Sequence, residues 1–246
     1  MLIVIEGTDG SGKTLQSRML VDALLRGAGK RHLSGDEDSV GALEGAKKTG
    51  APRQVEYIEF PDYASEYGRF IAAFLRGDFG PLQDIPPKLM GFLYAADRLL
   101  ARERIRDWLD KGAIVVANRY AESNIAHQGA RVADVQGRRR LQDWLYSIDY
   151  DLFGLPRPDL VLLLDLPVEV SQQLIQKKAE RSYLQGNADV QEKDVSYQQA
   201  VRVAYHEAAQ RHGWWIISCS EDGVLSTPER IHQQVLDACL RRLAIE

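Results

Sequence analysis

The chain has 246 residues, 45% hydrophobic and 27% charged, the proportions of a globular protein long enough to bury a substantial core. A formal net charge of -4 argues against a general nucleic-acid binder, whose phosphate contacts need a basic surface, but leaves room for a local basic pocket. No apolar run approaches the roughly 18 residues of a membrane span, and the first one ends too early, at Glu6, for a signal peptide.

In chain order, residues 2–6 (LIVIE) form a short β-branched apolar run, the mark of a buried parallel strand. From Gly12 the pattern turns helical, with Leu15, Met19, Leu20, Ala23 and Leu24 on one face and Gly27 as the expected stop. Residues 33–53 are rich in Gly, Ser and charge without a sustained period, and read as a surface insertion. A second strand at 55–60 ends at Pro61, and a long helix follows over about 87–110, stopped by Gly112. Further buried strands are expected at 113–118, 159–166 and 214–218, and a last helix from Thr227-Pro228-Glu229. Strands alternating with helices predict an α/β domain over 1–246, with a five-stranded parallel sheet covered on both faces. Cys219 and Cys239 follow no metal or redox spacing and read as reduced thiols of a cytoplasmic protein.

The loop after the first strand, Gly7-Thr8-Asp9-Gly10-Ser11-Gly12-Lys13-Thr14, matches G-x-x-x-x-G-K-[ST] in its proper setting between strand and helix. Its glycines let successive amide groups point inward around phosphate oxygens, and the helix start adds positive potential. Lys13 is placed to reach the outer phosphates of a nucleoside triphosphate and the Thr14 hydroxyl to ligate Mg²⁺.

Two more stretches follow strand ends and face the same crevice, where ligands of a parallel sheet gather: FPDYASEYGRFIAAFLRGDFG (60–80) and NRYAESNIAHQ (118–128). A third, YAADR (94–98), puts an Asp-Arg pair on an otherwise apolar helix. Taken alone, Arg98 also fits a surface ion pair with Asp97 or a neighbouring carboxylate, and Tyr94 fits core packing. Arg119 stands out by itself, because a charge at the end of a buried strand needs a partner.

This ordered set resembles thymidylate kinases, P-loop nucleoside-monophosphate kinases with a three-layer fold and a lid. The likeness spans nearly the whole chain: the glycine loop, Phe-Pro-x-Tyr, the Asp-Arg helix, Arg-Tyr with its downstream Ser-Asn, Pro-Asp-Leu at 158–160, an arginine-bearing lid and a closing strand and helix. The resemblance implies phosphorylation of dTMP to dTDP by ATP with Mg²⁺, a step towards dTTP. It also implies a homodimer, with no nucleic-acid or membrane partner. Asp9 matches the carboxylate near the acceptor's 3′-hydroxyl, and Phe60 and Tyr63 match walls of the monophosphate pocket. Tyr94 matches the ring that stacks on thymine, a contact worth roughly 1–3 kcal/mol. Arg98 and Asn124 match readers of the base edge, Arg119 the grip on the acceptor phosphate, and His127 a residue near the sugar that helps exclude ribonucleotides.

The resemblance implies that a chain with no basic residue in the middle of this loop, where Gly10 and Ser11 stand, brings one from the lid, here about 177–195. Arg181 is the candidate for an arginine finger within the chain, ahead of Lys177 and Lys178. Most relatives carry Asp-Arg-Tyr after the third strand, where this chain has Asn118-Arg119-Tyr120. Asparagine keeps an oxygen but loses the charge, which weakens a Mg²⁺ site; Glu6, Asp9 and Asn118 are candidates to join Thr14, directly or through water. Asp165 reads as a strand-end residue before Pro167 and not as a ligand. A kinase for another pyrimidine monophosphate such as dUMP, or a non-catalytic nucleotide-binding regulator, stays open as an alternative.

Overall fold

A computed structural model describes residues 1–33, 54–176, 194–221 and 223–245. The expected insertion beyond Leu33, and the lid with Lys177, Lys178 and Arg181, lie outside them.

Five strands form one parallel sheet: β1 (Leu2–Gly7), β2 (Val55–Glu59), β3 (Ile114–Asn118), β4 (Leu160–Asp165) and β5 (Trp215–Ser218), in the order β2-β3-β1-β4-β5. The helices are α1 (Lys13–Leu33), α2 (Glu66–Arg76), α3 (Pro87–Asp110), α4 (Ala121–Gly129), α5 (Val135–Tyr146), α6 (Val168–Gln176), α7 (Val195–His212) and α8 (Pro228–Ile245). Each expected strand and the long third helix stand where the sequence put them, to within a residue or two. Helix α1 does not stop at Gly27 but runs on to Leu33, because a single glycine costs a helix only about 1 kcal/mol. A small antiparallel ribbon of β6 (Ser220–Glu221) and β7 (Val224–Leu225) lies apart from the main sheet.

The period-two alternation of the strands divides the core into two layers. Ile3, Ile5, Leu162 and Leu164 pack with Leu20 of α1 and Ile231 and Val235 of α8. Leu2, Val4, Val115 and Val161 face the other way, against Ala101 and Ile105 of α3. The expectation of a fully buried fifth strand needs correction. β5 is an edge strand, and Trp215 and Ile216 are exposed on it. Both cysteines are free and buried, and burial pushes each thiol up to about 12, so they stay protonated.

At the C-terminal edge β1 hands the chain to the glycine loop. Gly7 has φ 150°, and a side chain there would come within 2.6 Å of the Leu164 carbonyl of β4. Gly12, at φ 86°, turns the loop into α1 in the left-handed region that glycine enters without strain.

Candidate active site

The strand ends, the glycine loop and helices α3 and α4 enclose a cavity of about 930 Å³. Asp9, Lys13 and Thr14 line it on one side, and Tyr63, Tyr94, Arg119 and Asn124 on the other. Phe60, Arg98, Asn118 and His127 complete the wall, so every expected site residue in the described part of the chain borders this space except Glu6, Gly7, Thr8 and Ser11.

On the loop side, the Lys13 ammonium donates to the carbonyl oxygens of Gly7 (3.0 Å) and Thr8 (2.8 Å), which holds it across the loop's mouth. The Thr14 hydroxyl accepts from Asn118 Nδ2 at 3.0 Å. That tie joins the start of α1 to the end of β3.

Arg119 follows β3 with φ 66°, the one positive-φ residue other than glycine among the described residues. Such a backbone costs about 1–3 kcal/mol and is characteristic of functional sites. It turns the guanidinium towards the glycine loop, where it pairs with Asp9 and donates to Ser123 Oγ at 3.3 Å. Burial pulls the Arg119 guanidinium down, but the charges of Asp9 and Glu6 and the Tyr205 hydroxyl raise it overall, so it is a permanent cation.

His127 Nε2 lies 3.3 Å from Arg119 Nη1, and its Nδ1 lies 3.2 Å from the Tyr197 hydroxyl. That hydroxyl donates to the His127 carbonyl at 3.1 Å, so the network assigns the ring proton to Nδ1. Burial first, then the cations Arg119 and Lys13, press the imidazole down to about 3. It is a neutral hydrogen-bonding wall and not a proton donor at physiological pH.

The charged residues around the cavity are held by partners within the protein. Glu6 stands near the end of β1. It is wholly buried, and its two oxygens accept from the backbone of Tyr120 (2.8 Å) and Ser123 (3.1 Å) and from the hydroxyls of Ser123 (2.5 Å) and Tyr205 (2.8 Å). Asp9 pairs with Arg119 and lies 3.4 Å from Gln198 Nε2.

Arg98 is no surface charge on a solvated helix face; it is buried and borders the cavity. Its Nε and Nη2 donate to both oxygens of Asp149, at 2.9 and 2.8 Å, with side chains 2% and 1% exposed. Asp149 sits in a single π-type turn, Ser147–Leu152. Burial lowers Arg98, but Asp149 more than compensates, leaving it raised.

Asp97 points away from its neighbour: it accepts from Asp62 N (2.9 Å) and Ser65 Oγ (2.5 Å) and so fixes the segment carrying Tyr63. The adjacent Asp97 and Arg98 therefore brace two different walls. Asp165, at the end of β4, clamps α7 through Arg202 (2.7 and 2.9 Å) and His206 (2.9 Å).

Several site residues escaped the sequence. Tyr197, Gln198 and Tyr205 reach in from α7, far along the chain, and only their spacing on one helical face hints at it. Glu59 hydrogen-bonds Asn118 at 2.9 Å and lines the cavity. In the sequence it is only the acidic residue that closes a short, mostly apolar strand.

A phosphate-binding loop opening into a space ringed by fixed arginines and aromatic rings defines a P-loop nucleotide phosphotransferase. The thymidylate kinase family model matches residues 47–231. The thymidylate kinase of Mycobacterium tuberculosis is 31% identical over 222 residues, covering 88% of this chain and 90% of that protein. That of Caenorhabditis elegans is 34% identical over 173 residues, 70% of this chain and 66% of its own length. A solved thymidylate kinase structure from Candida albicans shares the fold at a TM-score of 0.70 and 22% identity, over 100% of this chain and 93% of that one. The chain belongs to the thymidylate kinase family of nucleoside-monophosphate kinases, transferases that phosphorylate dTMP with ATP as the donor.

Proposed function

We propose that this cavity carries the reaction with Mg²⁺ and with the following division of labour. The amide groups of Gly10, Ser11 and Gly12, together with Lys13, hold the phosphates of ATP at the start of α1. Tyr94 stacks on thymine, Asn124 offers the base edge its buried Oδ1, which has no partner among the described residues, and Phe60 and Tyr63 close the pocket. Arg119 takes the acceptor phosphate, with Asp9 and the neutral His127 beside the sugar. Arg181 enters from the lid as the second cation on the transferring group. The observation that carries this reading is the single continuous space lined by both Lys13 and Arg119. Phosphoryl transfer needs two anionic nucleotides in line between fixed positive charges, with no covalent nucleophile.

The residues present fit a magnesium ion. Thr14 Oγ1, Glu59 and the partnerless Asn118 Oδ1 form a set of hard oxygen donors beside the donor-phosphate loop. When bound, the ion supplies charge neutralisation between the outer phosphates of ATP. Thr14 orients its hydroxyl towards that position, and Arg119 keeps its charge at any physiological pH.

We further read the chain as one kinase domain over 1–246, cytoplasmic and paired with a second copy through helices, as family members are. Leu89, Phe92 and Leu100 are exposed along one side of α3, which supports such pairing. Among the described residues no helix is long and apolar enough to cross a membrane.

ADP release from ATP and Mg²⁺ against a panel of nucleoside monophosphates tests the reading. Release with dTMP above dUMP and the purine nucleotides is expected, and Arg181→Ala is expected to lower turnover by about 10³-fold or more. Preference for another base would refute the acceptor assignment. Bound ATP without release would make the chain a regulator, and undiminished turnover in Arg181→Ala would remove the finger.

A further inference from the structure

β3 ends in the uncharged Asn118, and the strand beside it holds a carboxylate at the same level. β2 and β3 pair in parallel with Glu59 opposite Asn118, each the last residue of its strand. The side chain of Glu59 is exposed, yet the space it is exposed to is the cavity that Thr14 and Asn118 also line.

Asn118 Nδ2 sits among three oxygens: Glu59 Oε1 at 2.9 Å, Thr14 Oγ1 at 3.0 Å and the Tyr57 hydroxyl at 3.4 Å. An amide nitrogen surrounded by oxygen acceptors occupies the kind of position a hard cation favours. The other end of the same amide, Oδ1, is buried on a residue 2% exposed and has no hydrogen-bond partner among the described residues. An unsatisfied buried acceptor calls for an explanation. Rotating the amide about its last side-chain bond exchanges the two atoms and turns the oxygen towards Thr14 and Glu59.

We propose that Glu59 is the anionic member of the magnesium site in this chain, replacing from β2 the charge that Asn118 lacks on β3. Thr14 and the turned Asn118 oxygen complete the protein's share of the coordination. Magnesium sites beside nucleotide phosphates use one or two carboxylates, so one relocated charge suffices. Tyr57 donates to the second oxygen of Glu59 at 2.8 Å and fixes its orientation. This role of Glu59 rests on the reading that the chain uses Mg²⁺.

The test follows Mn²⁺ by electron paramagnetic resonance as it binds the full chain with ADP, in the parent, Glu59→Gln, Asn118→Asp and the double variant. The parent is expected to bind Mn²⁺ in the nucleotide complex, and Glu59→Gln to weaken it about tenfold or more. ADP affinity in EDTA should stay unchanged in Glu59→Gln, which shows that the loop is intact. Adding Asn118→Asp to Glu59→Gln should restore the metal, because it returns the charge to β3. If the parent binds Mn²⁺ and Glu59→Gln binds it equally well, the role of Glu59 is overturned while the use of metal stands. If the parent complex binds no Mn²⁺, both fall.

Discussion

The buried pair of Arg98 and Asp149 offers a test that separates support of the pocket from reading of the substrate. Both side chains are almost without solvent contact, and two hydrogen bonds of 2.8 and 2.9 Å join them. Deleting one partner strands the other charge in a low-dielectric interior, which costs about 3–5 kcal/mol. At roughly 2–4 °C per kcal/mol for a chain of this size, Asp149→Ala should lower the melting temperature by about 6–20 °C. Replacing both, as Arg98→Met with Asp149→Leu, removes the charges together and should recover most of the loss. Thermal unfolding without nucleotide measures both variants, and the KM for dTMP in the double variant then reports what Arg98 adds to recognition. A loss below about 1 kcal/mol in Asp149→Ala, or a double variant no better than the single one, would refute the argument that this ion pair braces the wall.

Two further outcomes follow from buried groups near the site. Burial raises Glu122 from 4.5 to about 8, against the hydrogen bond from Tyr150 and with the help of the Glu6 charge. Between these values the folded chain holds a proton that the unfolded chain has released, so stability falls as pH rises from about 4.5 to 8, by up to about 1.4 kcal/mol per pH unit. Urea unfolding across that range should show a shallower decline in Glu122→Gln, and an identical slope would exclude the protonated carboxyl. At Gly68 of α2 a Cβ would lie 1.8 Å from the Asp62 carbonyl, in the segment that Asp97 holds beside Tyr63. Gly68→Ala should destabilise the chain by about 1–3 kcal/mol and raise the KM for dTMP more than that for ATP. Unchanged melting and unchanged KM values would show that this segment yields freely.

What the sequence disclosed was local. The glycine loop, the strands and the α3 pattern each lie within one continuous stretch, where period, caps and spacing carry the signal. The partner of Arg98 lay hidden 51 residues downstream, in a π-type turn that no periodicity announces. Glu59 was invisible for the opposite reason, since an acidic residue that closes a short, mostly apolar strand looks like its solvent side until the neighbouring strand is in place. The left-handed backbone at Arg119 is likewise a property of the folded chain, because nothing in the residue type favours it. Gly27 misled because a glycine inside a helix and one at its end look alike in sequence.

The two helices that begin at the cavity's edge are not electrically alike, and Glu6 is the reason. The first turn of α1 keeps its amide groups for an incoming anion, whereas α4 starts without a side-chain cap of its own, and Glu6 of β1 takes the amides of Tyr120 and Ser123. One phosphate-bearing partner is therefore captured by main chain, which substitution hardly alters. The other must be captured by side chains, which substitution alters readily. Drift in such a protein should leave the donor fixed and let the choice of acceptor wander.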